Sequence, residues 1–299
     1  MSRRTQIRVV QRGEADARQR YLTQGPNLVL NAAMTNSQLA NIVDDLRAEG
    51  DDLYELLQRL EPEHWASPTT FKSWTVYDVV AHLHISDHMA VTTIRDGAAF
   101  KDFLNTVNAS GQTMKEYARH WLNEATPGEL LARWRDLFLK MCEQLRALAP
   151  DTRLTWAGPG MRPSMFTTAR QMETWAHGQE IYDLLKESRP ATERLRNVAE
   201  IGVRTFGWTY ANRQLPVPET APRVSLTGPS GSLWEWNLDT QSDSVTGDAA
   251  EFCQVVTQVR NVADTQLQVR GPIAEQWMSM AQCFAGPPEN PPAPGSRAG

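Results

Sequence analysis

The sequence predicts a mixed α+β protein of two domains: an N-terminal antiparallel bundle of four long helices, followed by a smaller α+β domain. Up to about residue 190 the apolar residues recur at spacings of three and four, as in amphipathic helices. After residue 223 they fall in short runs bounded by turn residues, as in strands. The chain has 299 residues, 41% of them apolar, and ten tryptophans, which is enough to build a sizeable core.

The four long helices are predicted from their apolar stripes and their start signals. Thr75 is the predicted cap of the second helix, with Asp78 at the third helical position. Thr126 and Glu129 form a complete capping box at the start of the third helix. Ser37 or Asn36 is the predicted cap of the first helix, and Ser164 is the predicted cap of the fourth. These signals place the four helices at residues 39–60, 76–94, 130–148 and 165–186.

The other predicted elements are shorter. A polar stretch after residue 94 contains one predicted helix or helical turn, at 114–122. Residues 192–211 form one predicted helix, and 215–222, with three prolines, an extended linker. The predicted strands are 224–227, 233–237, 244–246 and 267–270, and the predicted helices of this part are 248–260 and 273–284.

These elements define the predicted domain boundaries. Residues 1–34 carry six arginines and only a weak pattern, so we expect a flexible extension. Residues 35–190 form the predicted helical bundle, and residues 191–286 form the linker helix and the small α+β domain. Residues 287–299 are rich in proline, and we expect a disordered tail there.

The bulk composition excludes several classes of function. The net charge is −5, and because residues 1–34 are net positive, the rest of the chain is more acidic still, which argues against a nucleic-acid partner. Three scattered cysteines without a C-x-x-C pair indicate neither a disulfide framework nor a thiolate zinc site. The sequence contains no run of 18 apolar residues, which a membrane span would need, and no secretory signal is recognisable. We therefore expect a cytoplasmic protein that acts on a small molecule.

Two residues of the fourth helix suggest a metal site. Glu173 and His177 are four residues apart, so they lie about 40° apart around the helix axis and one turn apart along it. Phe166 and Leu184 fall in the same sector, which predicts that this face points inward. A buried carboxylate needs a partner, and a metal ion shared with the imidazole is one solution. An ion pair with Arg170 is the alternative.

The second helix offers three histidines, which the helical period separates. His82 lies at the margin of the apolar stripe and can turn toward the bundle interior. His84 and His88 fall on the opposite side, so we expect them on the solvent face despite their metal-like spacing. His82 is therefore the candidate third ligand. The alternative is a hydrogen-bonded histidine at the core margin.

Two imidazoles and one carboxylate would leave coordination positions open. An open site is typical of catalytic Zn²⁺, and Fe²⁺, Ni²⁺ or Mn²⁺ would also suit these donors. Such an ion could lower the pKa of a bound water or thiol, or polarise a carbonyl. Glu180 is the nearest candidate for an additional acid or base, and it can equally be a polar residue at the helix margin.

Two motifs carry a family resemblance: W-T-V-x-D-x-x-A-H-L at residues 74–83 and E-T-W-A-H-G-Q-E at 173–180. Together they resemble the DinB-like metal-binding superfamily. The chain is most similar to the mycothiol-dependent maleylpyruvate isomerase branch and, within it, to an actinobacterial group of metal-binding proteins. The segments V-S-L-T-G-P-S-G at 224–231 and V-T-G-D-A-A-E-F-C at 245–253 support the resemblance, which covers about residues 36–286.

The resemblance implies a DinB-like bundle and roles for particular residues. His82, Glu173 and His177 match the metal ligands of the family. In this branch, zinc binds and ionises the thiol of mycothiol, and the thiolate attacks an electrophile between the two domains. An arginine of the smaller domain is thought to assist. Arg260 is the best match for this catalytic residue, and Arg270 is the rival.

The leading hypothesis is thus a metal-dependent enzyme, a thiol transferase or isomerase, that activates a low-molecular-weight thiol such as mycothiol to react with a small electrophilic substrate. Two alternatives stay open. One is a thiol-independent metal-dependent hydrolase, lyase or cyclase of specialised metabolism. The other is a non-catalytic protein that binds a metal or a small ligand.

Overall fold

The computed structural model describes residues 34–156 and 160–297. The predicted flexible extension lies outside the described residues, except for its last residue, Met34. The described chain is a mixed α+β protein with a small four-stranded sheet. Its helices are α1 (Asn36–Gln58), α2 (Pro62–Ala66), α3 (Val76–Arg95), α4 (Gly97–Ala109), α5 (Met114–Leu122), α6 (Pro127–Arg146), α7 (Pro163–Leu185), α8 (Leu195–Arg204), α9 (Phe206–Asn212), α10 (Ala249–Val256) and α11 (Pro272–Met280). Its strands are β1 (Arg223–Thr227), β2 (Leu233–Trp236), β3 (Ser244–Asp248) and β4 (Gln268–Arg270).

Four long helices surround the first core. Helix α1 packs against α6 and α7, and α3 packs against the same two helices. The core between them is filled by Trp134, Phe138, Phe166 and many leucines. Helices α1 and α6 approach closely at Gly50, where an added Cβ would lie 2.2 Å from a ring carbon of Phe138. Any larger residue at this position would have to displace that ring.

Two of the four long helices start as the sequence signals predict. Helix α1 is capped by Thr35, with Gln38 completing a capping box, so the prediction of Ser37 or Asn36 as its cap is wrong. Thr75 with Asp78, and Thr126 with Glu129, form complete capping boxes, as predicted. Helix α7 begins instead at Pro163 and has no side-chain cap, so the prediction of Ser164 as its cap is wrong. A proline at the first helical position already has the helical φ and has no N–H group to satisfy, so α7 can start without a capping side chain.

Some elements differ from the prediction. Helices α2 and α4 were not predicted; α4 is started by Asp96, whose carboxylate accepts a hydrogen bond from the amide of Ala98 at 2.8 Å. The predicted helix at 192–211 is two helices, α8 and α9, that meet at Thr205. The Thr205 hydroxyl donates to the carbonyls of Ile201 and Gly202, at 2.7 and 3.1 Å. Such bonds to the preceding turn bend helices, which accounts for the break.

The second core is built on the sheet. Its strand order is β2-β1-β3-β4; β1 is antiparallel to β2 and parallel to β3, and β3 is antiparallel to β4. Helix α10 follows β3 directly and packs against α8. Trp234, Phe252, Trp277 and Tyr210 are the largest side chains buried in this core.

Helix α7 belongs to both cores. Its residues Phe166 and Ile181 pack in the first core, whereas Met172 and Trp175 pack in the second. Buried Glu49 of α1 adds a polar tie, because it accepts hydrogen bonds from Arg189 and Arg194, which lie in the connection after α7. Glu173 and His177, the predicted ligands on α7, therefore lie in the helix that the two cores share.

The proline-rich segment 286–297 lies along the second part of the structure, although its composition predicts disorder. The Asn261 side chain donates to the carbonyl of Pro292 at 2.9 Å, and the amide of Gly295 donates to Asp264 at 2.8 Å. Prolines have few conformations to lose, so ordering this segment costs little entropy. Among the described helices, none is both long and apolar enough to cross a membrane.

Candidate metal centre

The structure brings His82, Glu173 and His177 together between α3 and α7. One potential ligand atom from each residue lies within 4.8 Å of the other two. Oε2 of Glu173 lies 3.3 Å from Nε2 of His82 and 3.5 Å from Nε2 of His177. The i,i+4 spacing on α7 sets the second distance, and the packing of α3 against α7 sets the first.

The separations of these donor atoms match those around a small divalent ion. Ligand atoms at about 2.1 Å from a tetrahedral ion are about 3.4 Å apart. The two distances to Glu173 agree with this value. The donors are also of the right kind, because neutral imidazole and carboxylate are ligands for Zn²⁺ and its neighbours. The three side chains are 11–23% exposed, so the cluster is screened without being sealed.

The protonation of the cluster favours metal binding. Burial lowers the pKa of His82, which keeps its imidazole neutral at physiological pH. Burial alone would raise the pKa of Glu173, but hydrogen bonds from His177 and His82 outweigh it and hold that pKa well below its usual value. Metal ligands must be deprotonated to bind. A neutral His82 and a charged Glu173 meet that requirement.

Two aromatic rings form a wall beside the histidines. The Trp74 ring is stacked parallel to His177, with centroids 6.0 Å apart, and lies 5.4 Å from His82. Phe71 meets His177 edge-on at 5.2 Å. We call Phe71 and Trp74 the aromatic wall. Neither residue was predicted to belong to the site, although Trp74 is the first residue of the first motif.

A buried ion pair lies beside the cluster. Arg170 of α7 donates two hydrogen bonds to Asp87 of α3, and Trp134 donates to the other carboxylate oxygen at 3.1 Å. The ion pair with Glu173 that the sequence left open for Arg170 is therefore not made; its partner is Asp87. The Glu173 carboxylate instead contacts His82 and His177.

The prediction for His84 and His88 is wrong. His84 is buried and packs against Trp121 at 5.3 Å, and His88 is half-buried between Trp121 and Phe103. Helices α4 and α5 cover this side of α3, so it is not a solvent face. Burial, assisted by His88 and Arg133, lowers the pKa of His84 to about 4. Neither histidine belongs to the candidate metal cluster of His82, Glu173 and His177.

Glu180 lies one turn beyond His177 and is held by two partners. Arg297 donates to one carboxylate oxygen at 2.8 Å, and the Thr70 hydroxyl donates to the other at 3.3 Å. Burial raises the pKa of Glu180, and Arg297 opposes that rise. The carboxylate is thus part of an ion pair at the edge of the site.

Arg260 contacts α7, but its partner there is not one of the three cluster residues. Its guanidinium donates to both oxygens of Asp183, at 2.6 and 2.7 Å. Asp183 in turn lines a cavity of about 260 Å³ between α7 and α10, together with Trp175, Gln179 and Gln254. None of the three cluster residues lines that cavity. Arg270, the rival, is exposed on β4.

All three cysteines are buried and free. Burial raises the pKa of Cys142 to about 12, and it also raises the pKa values of Cys253 and Cys283 far above the ordinary range. None of them is a thiolate at neutral pH, so none is an effective nucleophile.

The chain is similar to a described protein family, to two curated proteins and to a solved structure. Residues 46–182 match the family described as the mycothiol maleylpyruvate isomerase N-terminal domain. Two proteins of Mycobacterium tuberculosis, from strains H37Rv and CDC 1551 and both described as uncharacterized, are 39% identical over 246 residues, covering 82% of this chain and 96% of theirs. A crystal structure of the mycothiol-dependent maleylpyruvate isomerase covers 74% of this chain and 90% of its own, with 14% identity and a TM-score of 0.49.

Proposed function

Because the chain belongs to the mycothiol maleylpyruvate isomerase N-terminal domain family, we propose that it is a metal-dependent enzyme that uses a low-molecular-weight thiol. In this proposal the thiol is of the mycothiol kind, and the enzyme either transfers it to a small electrophilic substrate or uses it to isomerise that substrate. The observation that carries the proposal is the cluster of His82, Glu173 and His177, which lies within the matched family region.

We propose corresponding roles for the two parts of the fold. The four long helices are interpreted as a DinB-like bundle that holds the metal, and the part after residue 190 as a second domain that borders the site. A cytoplasmic location fits a thiol cosubstrate, because low-molecular-weight thiols stay reduced there.

His82, Glu173 and His177 would hold a divalent cation, of which Zn²⁺ is the first candidate for two imidazoles and one carboxylate. Fe²⁺, Ni²⁺ and Mn²⁺ remain candidates for the same donors. When bound, the ion would supply a Lewis acid that lowers the pKa of a thiol. The residues contribute a neutral imidazole and a charged carboxylate that need not lose protons first.

The thiol must come from outside the chain. The three cysteines are buried and protonated, so the protein has no nucleophilic sulfur of its own. In the proposed reaction the cosubstrate loses its S–H proton to solvent, and its sulfur adds to one carbon of a C=C bond conjugated to a carbonyl, whose π electron pair moves onto the carbonyl oxygen. For transfer, the S–C bond stays and the resulting enolate takes up a proton from solvent. For isomerisation, rotation about the bond that is now single is followed by re-formation of the double bond with cleavage of the S–C bond, and the released thiolate takes up a proton to regenerate the thiol.

The surrounding residues would orient the reactants. The aromatic wall offers a flat apolar surface beside both histidines, which suits a small unsaturated substrate and excludes water. Arg260 is the candidate for binding an anionic substrate group. For that role it must release Asp183, its partner in the structure. We assign Glu180 no catalytic role, because its carboxylate already accepts hydrogen bonds from Arg297 and Thr70.

Elemental analysis of the purified protein beside a His177→Ala variant tests the metal. We expect about one equivalent of metal in the wild type and a large loss in the variant, with an exposed histidine variant, His120→Ala, as the matched control. Stoichiometric metal in His177→Ala would overturn the assignment of the ligands.

A second measurement tests the thiol. Mycothiol is titrated into metal-loaded wild type and into His177→Ala by calorimetry, and turnover is then followed with a panel of electrophiles. Binding that requires the metal supports the proposal. Activity in thiol-free buffer that a chelator abolishes would replace it with the hydrolase, lyase or cyclase alternative. A small ligand that co-purifies unchanged would favour a binding protein.

A further inference from the structure

The proline-rich segment 286–297 reaches the aromatic wall of the metal centre. Glu289 forms an ion pair with Lys72 at 2.7 Å. In the sequence, Lys72 stands between Phe71 and Trp74, the two residues of the aromatic wall. The guanidinium of Arg297 lies over the Phe71 ring, 5.6 Å from its centroid, while it donates to Glu180. The segment thus contacts both the turn that carries the wall and the helix that carries two ligands.

The turn that carries the wall has a strained backbone. Lys72 and Ser73 have φ values of 51° and 54°, in the left-handed region that residues with a side chain avoid. Within the turn, the amide of Trp74 donates to the carbonyl of Phe71 at 2.9 Å, and the amide of Thr69 donates to the carbonyl of Trp74 at 2.7 Å. Strain of this kind persists only where surrounding contacts hold it.

The segment is anchored firmly enough to act as that support. The backbone carbonyl of Glu289 accepts from the side chains of Gln258, at 2.8 Å, and Arg213. Its amide donates to Gln282 at 3.0 Å. The carbonyl of Gln258 also accepts from Arg297 at 3.1 Å. The prolines between the two charged residues stiffen the chain, so Glu289 and Arg297 are presented from a semi-rigid strut.

We propose that Glu289 and Arg297 are positioning residues of the metal centre. They act from outside the turn: Glu289 holds Lys72 in its left-handed conformation, and Arg297 covers Phe71. Together they keep the aromatic wall against His82 and His177 and thereby limit how readily a bound metal exchanges with solvent. The last statement rests on the proposed metal function, whereas the support of the turn does not.

Hydrogen exchange of the metal-free protein tests the support of the turn. The variant is Glu289→Gln combined with Arg297→Ala, and the control is Glu275→Gln, an exposed glutamate of α11. Because partly exposed contacts of this kind each contribute little to stability, we expect the amides of Thr69 and Trp74 to exchange about fivefold faster in the double variant. Exchange equal to that of the control, in a variant with unchanged thermal unfolding, would overturn the proposal.

Metal extraction tests the second part. Metal-loaded wild type, double variant and control are mixed with excess chelator, and metal release is followed over time. We expect release from the double variant to be severalfold faster at equal initial metal content. Equal rates would refute the effect on exchange. A wild type that binds no metal would refute the proposed function instead, and the hydrogen-exchange result would still decide whether the strut holds the turn.

Discussion

Arg170 donates two hydrogen bonds to one carboxylate oxygen of Asp87, at 2.9 and 3.1 Å, and both side chains are at most 4% exposed. The pair joins α3 to α7, the two helices that carry the candidate ligands. Arg170 precedes Glu173 by three residues, and Asp87 follows His82 by five. The buried pair therefore sets the spacing of α3 and α7 close to the candidate metal centre.

Breaking this pair should destabilise the protein strongly. Arg170→Met leaves the Asp87 carboxylate buried without its main partner, and burial already raises the pKa of Asp87. We expect a loss of about 3–5 kcal/mol in the free energy of unfolding, measured by urea denaturation. Replacing both residues, as Arg170→Met with Asp87→Leu, should recover much of that loss, because no unpaired charge remains. A single variant as stable as the wild type would contradict this.

Glu173→Gln should abolish tight metal binding. The amide keeps the shape of the side chain but removes the charge that both histidines contact. Since losing even an outer partner of a ligand costs about 10–100-fold in metal affinity, we expect a loss of at least about 100-fold here. Competition with a fluorescent zinc chelator measures the affinity. Glu143→Gln, on the exposed side of α6, should behave as the wild type.

His84 should make stability depend on pH. Its pKa is about 4 in the folded protein and close to 6.5 when unfolded. The unfolded chain therefore binds the extra proton first, and stability falls as the pH drops from 6.5 toward 4. The shift corresponds to about 3 kcal/mol. Urea unfolding at pH 7 and pH 4.5 should show this drop in the wild type and a smaller one in His84→Gln. The exposed His120→Gln should leave the drop unchanged.

The variants Arg260→Gln and Asp183→Asn distinguish a role of Arg260 in substrate binding from a purely structural role of its ion pair with Asp183. If Arg260 binds the substrate, removing it should lower kcat/KM by about 100-fold, in the range for a lost electrostatic contact. Asp183→Asn releases Arg260 and should leave most of the activity. Both are assayed as thiol-dependent turnover, with urea unfolding as the check on folding. Equal losses of activity and stability in the two variants would mark the ion pair as purely structural.

The cysteines should resist modification in the folded state. At pH 8, Ellman's reagent should titrate less than one thiol rapidly in the native protein and three after denaturation, because all three cysteines are buried with raised pKa values. One rapidly reacting native thiol would show that the chain has its own nucleophile. It would remove the reason for requiring an external one.

The sequence predicts what local geometry determines. The i,i+4 spacing of Glu173 and His177 and the position of His82 on its helix are properties of single helices, so the three residues could be chosen before the structure was known. The prediction that His84 lies on the solvent face was wrong, because the helical period does not show which other helices pack against that side of α3. That side of α3 is covered by α4, through Phe103 against His88, and by α5, through Trp121 against both histidines.

Features that depend on distant contacts were missed. No glycine marks the left-handed turn at Lys72 and Ser73, since its conformation is held by other parts of the chain. The composition of the proline-rich segment is that of a disordered tail, and only partners far away in sequence, such as Lys72 and Glu180, reveal its position. Arg260 was selected by motif, but its pairing with Asp183 depends on how α10 lies beside α7.

Helix α7 lies between the two cores and contributes buried side chains to both. Neither half can lose its packing without exposing one side of α7, so the two halves should unfold in a single cooperative transition rather than one after the other. Glu173 and His177 would lose their geometry in that same transition. Release of a bound metal would then report the melting of the whole chain, and a calorimetric scan with a metal indicator would record both events at one temperature.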